Sequence, residues 1–168
     1  LLHAAGLTPV MPFDEYADIR RAEASVGKVD ILGVDVQPNQ LEIVIVLGGD
    51  GTILRAAELV RNTGAPLLGV NLGHVGFLAE SERDGLSETV ERALSGEYNV
   101  EERVTLQVDV VGGNQIVYSS WALNEATIEK ASRERMLEVV TEVDGRPLSS
   151  FGCDGVVVST PTGSTAYS

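Results

Sequence analysis

The sequence predicts an α/β domain followed by an all-β domain, the first over residues 1–98 and the second over residues 99–168. Three observations carry that prediction. Residues 41–47 form an apolar run interrupted only by Glu42, rich in β-branched side chains and without alternation, as a central parallel strand covered on both faces would be. A glycine-rich turn and a helical period follow, and a second apolar run closes a strand–helix–strand unit, for which a right-handed crossover is the rule. Beyond Tyr98 the helical period gives way to two-residue alternation, the mark of half-covered antiparallel strands.

Composition narrows the function classes. The chain has 168 residues, of which 43% are apolar, enough for a real core, and a formal net charge of −13. That charge argues against a nucleic-acid-binding surface, whose affinity rests on clustered Lys and Arg. No apolar run reaches the roughly 18 residues of a membrane span, and residues 1–10 lack the basic start and cleavage pattern of a signal peptide. The single cysteine, Cys153, fits a reducing compartment, so a cytoplasmic location is expected. A start without methionine and an end inside a dense motif read as a fragment of a longer chain.

Taken in order, residues 1–5 read as the last turn of a helix stopped by Gly6, and residues 7–10 as a short strand. Residues 14–40 are acidic and broken by Gly27, Gly33 and Pro38, so a short helix over 16–24 within a surface excursion is expected. Ile53, Ala56, Ala57 and Val60 then recur on one face of a helix that begins at Thr52 and stops at Gly64. Residues 66–71 form the next buried strand. Asn71-Leu72-Gly73-His74-Val75-Gly76-Phe77-Leu78 is a second glycine loop at the carboxyl end of a strand, the edge where open α/β sheets bind ligands. Leu86, Val90, Ala93 and Leu94 mark another helix, stopped by Gly96.

In the second domain residues 104–110 alternate, Gly112-Gly113-Asn114 turns the chain, and residues 115–123 return as the partner strand. Residues 136–143 form a further strand ended by Asp144-Gly145, and Val156-Val157-Val158 a short buried one. Trp121 and Met136 read as core, and Cys153 as a small buried residue.

The residues with chemical potential fall into three groups. In Gly48-Gly49-Asp50-Gly51-Thr52 the glycines leave backbone N–H groups unshielded, and the helix start adds unpaired donors and a positive dipole end, so the turn suits a phosphate. It is not a P-loop, lacking Gly-Lys-Ser/Thr, nor a dinucleotide fingerprint, because Leu54 stands where the third glycine belongs. Asp50 would repel a phosphate unless it has another task. Two tasks fit phosphoryl transfer: accepting the proton of an attacking hydroxyl, or helping to hold a Mg²⁺ ion on the phosphates. The competing reading is a tight turn with Asp50 as helix cap. Arg55, four residues after Gly51, either leans back toward the turn, as helical side chains do, or is a solvated surface residue.

The second group is Asn124-Glu125, an amide beside a carboxylate able to read ribose hydroxyls and amino groups, although a capping or turn role is the simpler reading. The third is Cys153-Asp154-Gly155 with the hydroxyl-rich segment Ser159-Thr160-Pro161-Thr162-Gly163-Ser164-Thr165-Ala166-Tyr167-Ser168, whose composition no ordinary strand or helix needs. Lys130, Arg133 and Arg135 read as a solvated basic face. His3 and His74 are too few and too far apart for a metal site. His74 and Phe77, inside the second loop, are as readily structural as ligand-facing.

Occurring together and in this order, the Gly48–Thr52 turn, the 71–78 loop, Leu123-Asn124-Glu125, and Asp154-Gly155 with the hydroxyl-rich segment make the chain resemble a bacterial NAD kinase. The match covers most of the chain from Leu41 onward. Its first motif is shared with diacylglycerol-type lipid kinases and phosphofructokinases; its last is the most specific. The resemblance implies a Rossmann-like parallel α/β domain followed by an incomplete antiparallel β-sandwich-like domain. It implies transfer of the γ-phosphate of ATP, or of polyphosphate in some members, to the 2′-hydroxyl of the adenosine ribose of NAD, giving NADP, with Mg²⁺ or another divalent cation accompanying the donor.

Carried over, Asp50 is the proton acceptor and, with Gly51, contacts the dinucleotide, while Arg55 lines the same pocket. Asn124 and Glu125 hold ribose and nicotinamide-side groups. Arg135 stands where the family places another NAD contact, although some members carry His there. Asp154 matches a position that often reaches a neighbouring subunit's ligand, which implies a homodimer or homotetramer. Thr165, Ala166, Tyr167 and Ser168 match the segment around the adenine and its ribose. The family's first strand is expected before Leu1 and more of its β domain beyond Ser168, and residues 14–40 match nothing in it. Two other readings stay open: a lipid or sphingoid-base kinase, and a non-catalytic dinucleotide-binding module.

Overall fold

The computed structural model of the protein describes residues 2–23, 25–72, 78, 81–82, 85–132 and 135–165. The chain divides into two compact units, Leu1–Val100 and Glu101–Ser168.

The first unit is parallel α/β. After a 3₁₀ turn at His3–Ala5, stopped by Gly6 in the left-handed region (φ 77°), come β1 (Val10–Met11), α1 (Phe13–Ala22) and β2 (Asp30–Ile31). β1 and β2 pair in parallel, so the acidic segment between residues 14 and 40 is a small strand–helix–strand excursion with its own ladder. A 3₁₀ turn at Pro38–Gln40 leads to β3 (Val44–Leu47), then α2 (Asp50–Val60), β4 (Leu67–Asn71), β5 (Ser81–Glu82) and α3 (Leu86–Leu94). β3, β4 and β5 form a parallel sheet in that order. Among the described residues the run at 41–47 is therefore an edge strand and β4 the inner one. Among the described residues β3 pairs on one side only, Val46 alone of it is buried, and Leu47 is 49% exposed. The covered strand is β4, where Gly69, Val70 and Asn71 are buried.

The core beside the turn is Val46, Ile53 and Leu78, with Val44, Leu54, Ala56 and Leu67 packed against it. Burying side chains of this size stabilises by about 1.5–3 kcal/mol each. Gly96 holds positive φ directly after the C-cap of α3, the left-handed conformation that ends a helix, whereas α2 ends earlier than expected, at Val60 with Arg61 as its C-cap, three residues before Gly64. No helix of the described residues is long and apolar enough to cross a membrane.

The second unit is antiparallel. β6 (Leu106–Gly112) and β7 (Gln115–Ala122) form a hairpin whose turn residues, Gly113 and Asn114, both have positive φ, the geometry that matches strand twist. β9 (Leu137–Val143) and β10 (Arg146–Cys153) form another around Asp144 and Gly145, again both at positive φ. β8 (Glu125–Glu129) pairs with β11 (Gly155–Ser159) across the intervening hairpin.

Three expectations are corrected here. β8 and β10 were not legible as strands: β8 is short, and β10 carries Pro147, two serines and Gly152, with an irregular register between Pro147 and Ser149. Val157 and Val158 are about half exposed rather than buried, at 50% and 48%; neighbours along a strand point to opposite faces, so both faces of the two-stranded β8–β11 ladder are partly open here. Met136 is 63% exposed and does not belong to a core.

Candidate functional site

In the first unit the site is the junction of β3 and α2. Gly49, extended at φ −86° and ψ −174°, is the N-cap, so the helix starts at Asp50 and not at Thr52. The capping residue thus has no side chain, and Asp50 is not the helix cap. Its Oδ1 instead accepts a hydrogen bond from the Leu78 N–H at 3.1 Å, tying the first turn of α2 to a buried residue at the far end of the second glycine loop. The first-turn N–H groups precede the intrahelical ladder, which opens with Thr52 and Ile53 donating to the Gly49 carbonyl at 3.0 and 3.2 Å.

The three glycines of the turn have different reasons to be glycine. A Cβ on Gly48 would lie 2.7 Å from Thr52 Oγ1, so packing fixes that position. Around Gly49 and Gly51 a Cβ would meet nothing within 4 Å among the described residues, and neither has a positive φ. Neither packing nor backbone conformation there demands glycine; a bare backbone that a ligand can approach closely remains as the reason. Arg55 stands one turn along α2 and is exposed. His74 and Phe77 lie outside the described residues.

In the second unit the site is built where β8 begins and β11 ends. Thr160, 1% exposed, follows β11 and staples the two: its N–H donates to the Asn124 carbonyl at 2.8 Å and its Oγ1 donates to the Leu123 carbonyl at 2.6 Å. The same Oγ1 accepts the Gly163 N–H at 3.0 Å, which folds the hydroxyl-rich segment back as a 3₁₀ turn at Gly163–Thr165. That turn presses on Asn124 so closely that a Cβ on Gly163 would fall 2.0 Å from the Asn124 carbonyl oxygen. Ser164 Oγ donates to the Pro161 carbonyl and Thr165 Oγ1 to the Thr162 carbonyl, both at 3.0 Å, so these hydroxyls shape the turn. Arg103 Nη1 donates to Thr162 Oγ1 at 3.3 Å.

Against this frame two acceptors stand out. Asn124 Oδ1 and Glu125 Oε2 are buried and have no hydrogen-bond partner among the described residues. Leaving such atoms unpaired costs about 1–3 kcal/mol each, so each calls for a donor.

The structure thus brings the Gly163–Thr165 turn, through Gly163, against Asn124 at the start of β8, and it leaves Asp154 elsewhere. Ser159 pairs with Glu125 at one end of the β8–β11 ladder and Gly155 with Glu129 at the other, so Asp154 lies level with Lys130, six residues and roughly 20 Å along β8 from Asn124 at strand spacing. Arg135 is exposed just ahead of β9. Ala166, Tyr167 and Ser168 lie outside the described residues. Lys130, read from sequence as part of a solvated basic face, is paired with Asp154 at 2.5 Å. Thr160 and Gly163 stood in the hydroxyl-rich segment without the stapling role found here, and Arg103 was not singled out. The Thr-Pro-Thr-Gly spacing held a signal for the first two; nothing in the sequence pointed to Arg103. Among the described residues no group of three or more His, Cys, Asp or Glu could hold a metal ion.

Comparison with known proteins places these features. Residues 14–98 match the family model of the ATP-NAD kinase N-terminal domain, and residues 123–168 that of the ATP-NAD kinase C-terminal domain. The first match includes the whole acidic segment 14–40, which the expectation drawn from the sequence had placed outside the family. An NAD kinase of Leifsonia xyli subsp. xyli is 67% identical over 167 residues, covering 99% of this chain and 55% of the relative. An NAD kinase of Thermobifida fusca is 55% identical over 172 residues, covering 99% of this chain and 52% of the relative. The chain therefore spans about half the length of these curated relatives. Among solved structures, yeast NADH kinase complexed with NADH superposes with a TM-score of 0.79 at 23% identity, over 96% of this chain and 50% of that one. An Archaeoglobus fulgidus NAD kinase in complex with ATP gives 0.57 at 22% identity, over 95% and 62%. At such identities the likeness is one of fold.

Proposed function

This chain belongs to the ATP-NAD kinase family, and we propose that the full-length protein transfers a phosphoryl group from ATP, or from polyphosphate, to the 2′-hydroxyl of the adenosine ribose of NAD, giving NADP. The observation that carries the reading to this chain's own residues is the pair of buried acceptors, Asn124 Oδ1 and Glu125 Oε2. A dinucleotide offers the matching donors in its ribose hydroxyls and carboxamide.

In this reading Gly49 and Gly51 let phosphate oxygens approach the backbone at the start of α2, where the helix dipole favours negative charge. Asp50 orients the attacking hydroxyl and accepts its proton, its carboxylate set by the Leu78 N–H. Arg55 adds positive charge one turn along. Asn124 and Glu125 select the dinucleotide, with Arg135 and the 165–168 segment as further contacts. The single carboxylate at the turn suits a divalent cation that arrives on the phosphoryl donor and keeps phosphate and water as its other ligands. That cation would neutralise charge on the phosphates.

Asp154 stands too far along the ladder to share one ribose with Asn124 of the same chain. It therefore serves a neighbouring subunit's ligand in a homodimer or homotetramer. A cytoplasmic location goes with a reaction on cytosolic nucleotides.

The test is NADP formation by the full-length protein from NAD, Mg²⁺ and either ATP or polyphosphate, read with an NADP-specific dehydrogenase. Glu125→Gln should raise KM for NAD about tenfold, since it turns a buried acceptor into a donor. A folded protein that makes no NADP overturns the reading. NAD binding by calorimetry without turnover would mark a binding module instead, and phosphorylation of a lipid panel would point to a lipid kinase.

A further inference from the structure

We propose that Lys130 is a positioning residue for Asp154: it fixes the Asp154 carboxylate and offsets its charge, and so sets the affinity for the dinucleotide that Asp154 meets. The proposal rests on the reading of Asp154 given above.

Asp154 is the single residue between β10, which pairs with β9, and β11, which pairs with β8. The chain changes partner strand at that point, and a lone linking residue has few restraints of its own. The structure supplies three. Gly155 approaches β8 so closely that a Cβ there would lie 2.8 Å from the Ile128 carbonyl oxygen. The Lys130 N–H donates to the Asp154 carbonyl at 3.2 Å. Lys130 Nζ lies 2.5 Å from Asp154 Oδ1. Lys130 is the first residue after β8, so strand pairing delivers its ammonium to this spot.

The exposures of the two side chains differ, and the difference matters. The Lys130 side chain is 25% exposed, its stem covered, whereas that of Asp154 is 77% exposed. One partner is anchored and the other is presented to solvent. An exposed carboxylate on a chain of net charge −13 would repel a dinucleotide, whose pyrophosphate is anionic. An ammonium in contact with it cancels that repulsion and leaves a carboxylate oxygen to accept from a hydroxyl. Exposed ion pairs are weak, so the expected effect is modest.

The experiment is steady-state kinetics of the full-length protein, varying NAD at saturating phosphoryl donor, for Lys130→Met, Lys130→Arg, Asp154→Asn and the Lys130→Met/Asp154→Asn double variant. Lys130→Met keeps the apolar stem and removes the charge; it should raise KM for NAD about three- to fivefold, with a smaller change in kcat. Lys130→Arg should recover most of that rise, and in the Asp154→Asn background Lys130→Met should add nothing. Circular dichroism melting checks that each variant folds, and Lys130→Gln serves if Lys130→Met does not. The proposal is overturned if Lys130→Met raises KM equally in both backgrounds, or leaves it unchanged while Asp154→Asn raises it. If Asp154→Asn itself leaves KM unchanged, the reading of Asp154 fails, a different pattern, and the proposal goes with it.

Discussion

Replacing Asp50 by asparagine and by alanine separates its structural tie from its chemical role. Asn keeps an acceptor for the Leu78 N–H, now at 3.1 Å from Asp50 Oδ1, but removes the charge. The charged-to-neutral change in that bond costs about 1 kcal/mol. Losing a negative charge from the first turn of α2 adds about 0.3–1 kcal/mol. The expected loss for Asp50→Asn is thus about 1–2 kcal/mol. Alanine also removes the acceptor from a buried residue, Leu78, which is 8% exposed. Adding the cost of an unmade buried bond brings that loss to about 2–4 kcal/mol. Urea titration should therefore rank native above Asp50→Asn above Asp50→Ala, and hydrogen exchange at the Leu78 amide should quicken most in Asp50→Ala. In turnover, Asp50→Asn should already lose about 100-fold or more in kcat, because proton acceptance needs the carboxylate. If kcat of Asp50→Asn stays within about threefold of native, Asp50 is a structural tie and not the proton acceptor. If the two variants are equally stable, the bond to Leu78 does not hold the turn.

Gly51→Ala should leave stability unchanged or raised by up to about 1 kcal/mol, since Ala is the better helix former and its Cβ meets open space. If the bare backbone serves a ligand, kcat/KM should nonetheless fall; a fully active Gly51→Ala protein would refute that role. Gly163→Ala should destabilise by about 1–3 kcal/mol or more and raise KM for NAD, because the added Cβ forces the main chain off the Asn124 carbonyl. Unchanged thermal unfolding would refute that close approach. On the β6–β7 hairpin, hydrogen bonds from Ser119 Oγ, at 2.6 Å, and Gln107 Nε2, at 3.0 Å, hold Asp109 below its ordinary value of 3.8. Its contribution to stability is present above the unfolded pKa and is lost as pH falls through the lower folded value. NMR titration should show that low midpoint, and Ser119→Ala should move it up.

The division into parallel and antiparallel parts was legible because hydrophobic period is set locally. Residues 41–47, Ile53 to Val60 and residues 104–123 each announce their geometry within one element. Which strand is inner is not a local property: the β-branched run at β3 reads as the more buried strand, but pairing on both sides falls to β4. β8 and β10 were missed for a related reason. β8 is held by a ladder to the distant β11, and β10 pairs with an irregular register and carries Pro147, Gly152 and serines that strand propensity disfavours. The candidate site followed the same rule. Asp50, Asn124 and Glu125 sit in recognisable motifs, whereas Arg103 and Lys130 act through contacts with residues far along the chain. Nothing in a solvated basic residue's neighbours reveals such a contact.

A carboxylate amid glycines suited to phosphate looks contradictory, and the start of α2 resolves it. Were Asp50 the N-cap, its oxygen would turn back onto the first-turn N–H groups and occupy the donors a phosphate needs. The helix instead begins one residue earlier than a cap at Asp50 would give, with Gly49 in the capping place and no side chain there to compete. The Asp50 carboxylate is engaged by the Leu78 N–H. Phosphate donors and proton acceptor thus come from adjacent residues without quenching one another, and that separation depends on glycine at position 49. Gly49→Ser would supply a side-chain cap, worth only a few tenths of a kcal/mol over glycine, which is itself a tolerated N-cap. It should make the turn more stable and a worse phosphate site. A Gly49→Ser protein with native KM for the phosphoryl donor would show that these N–H groups have no part in binding it.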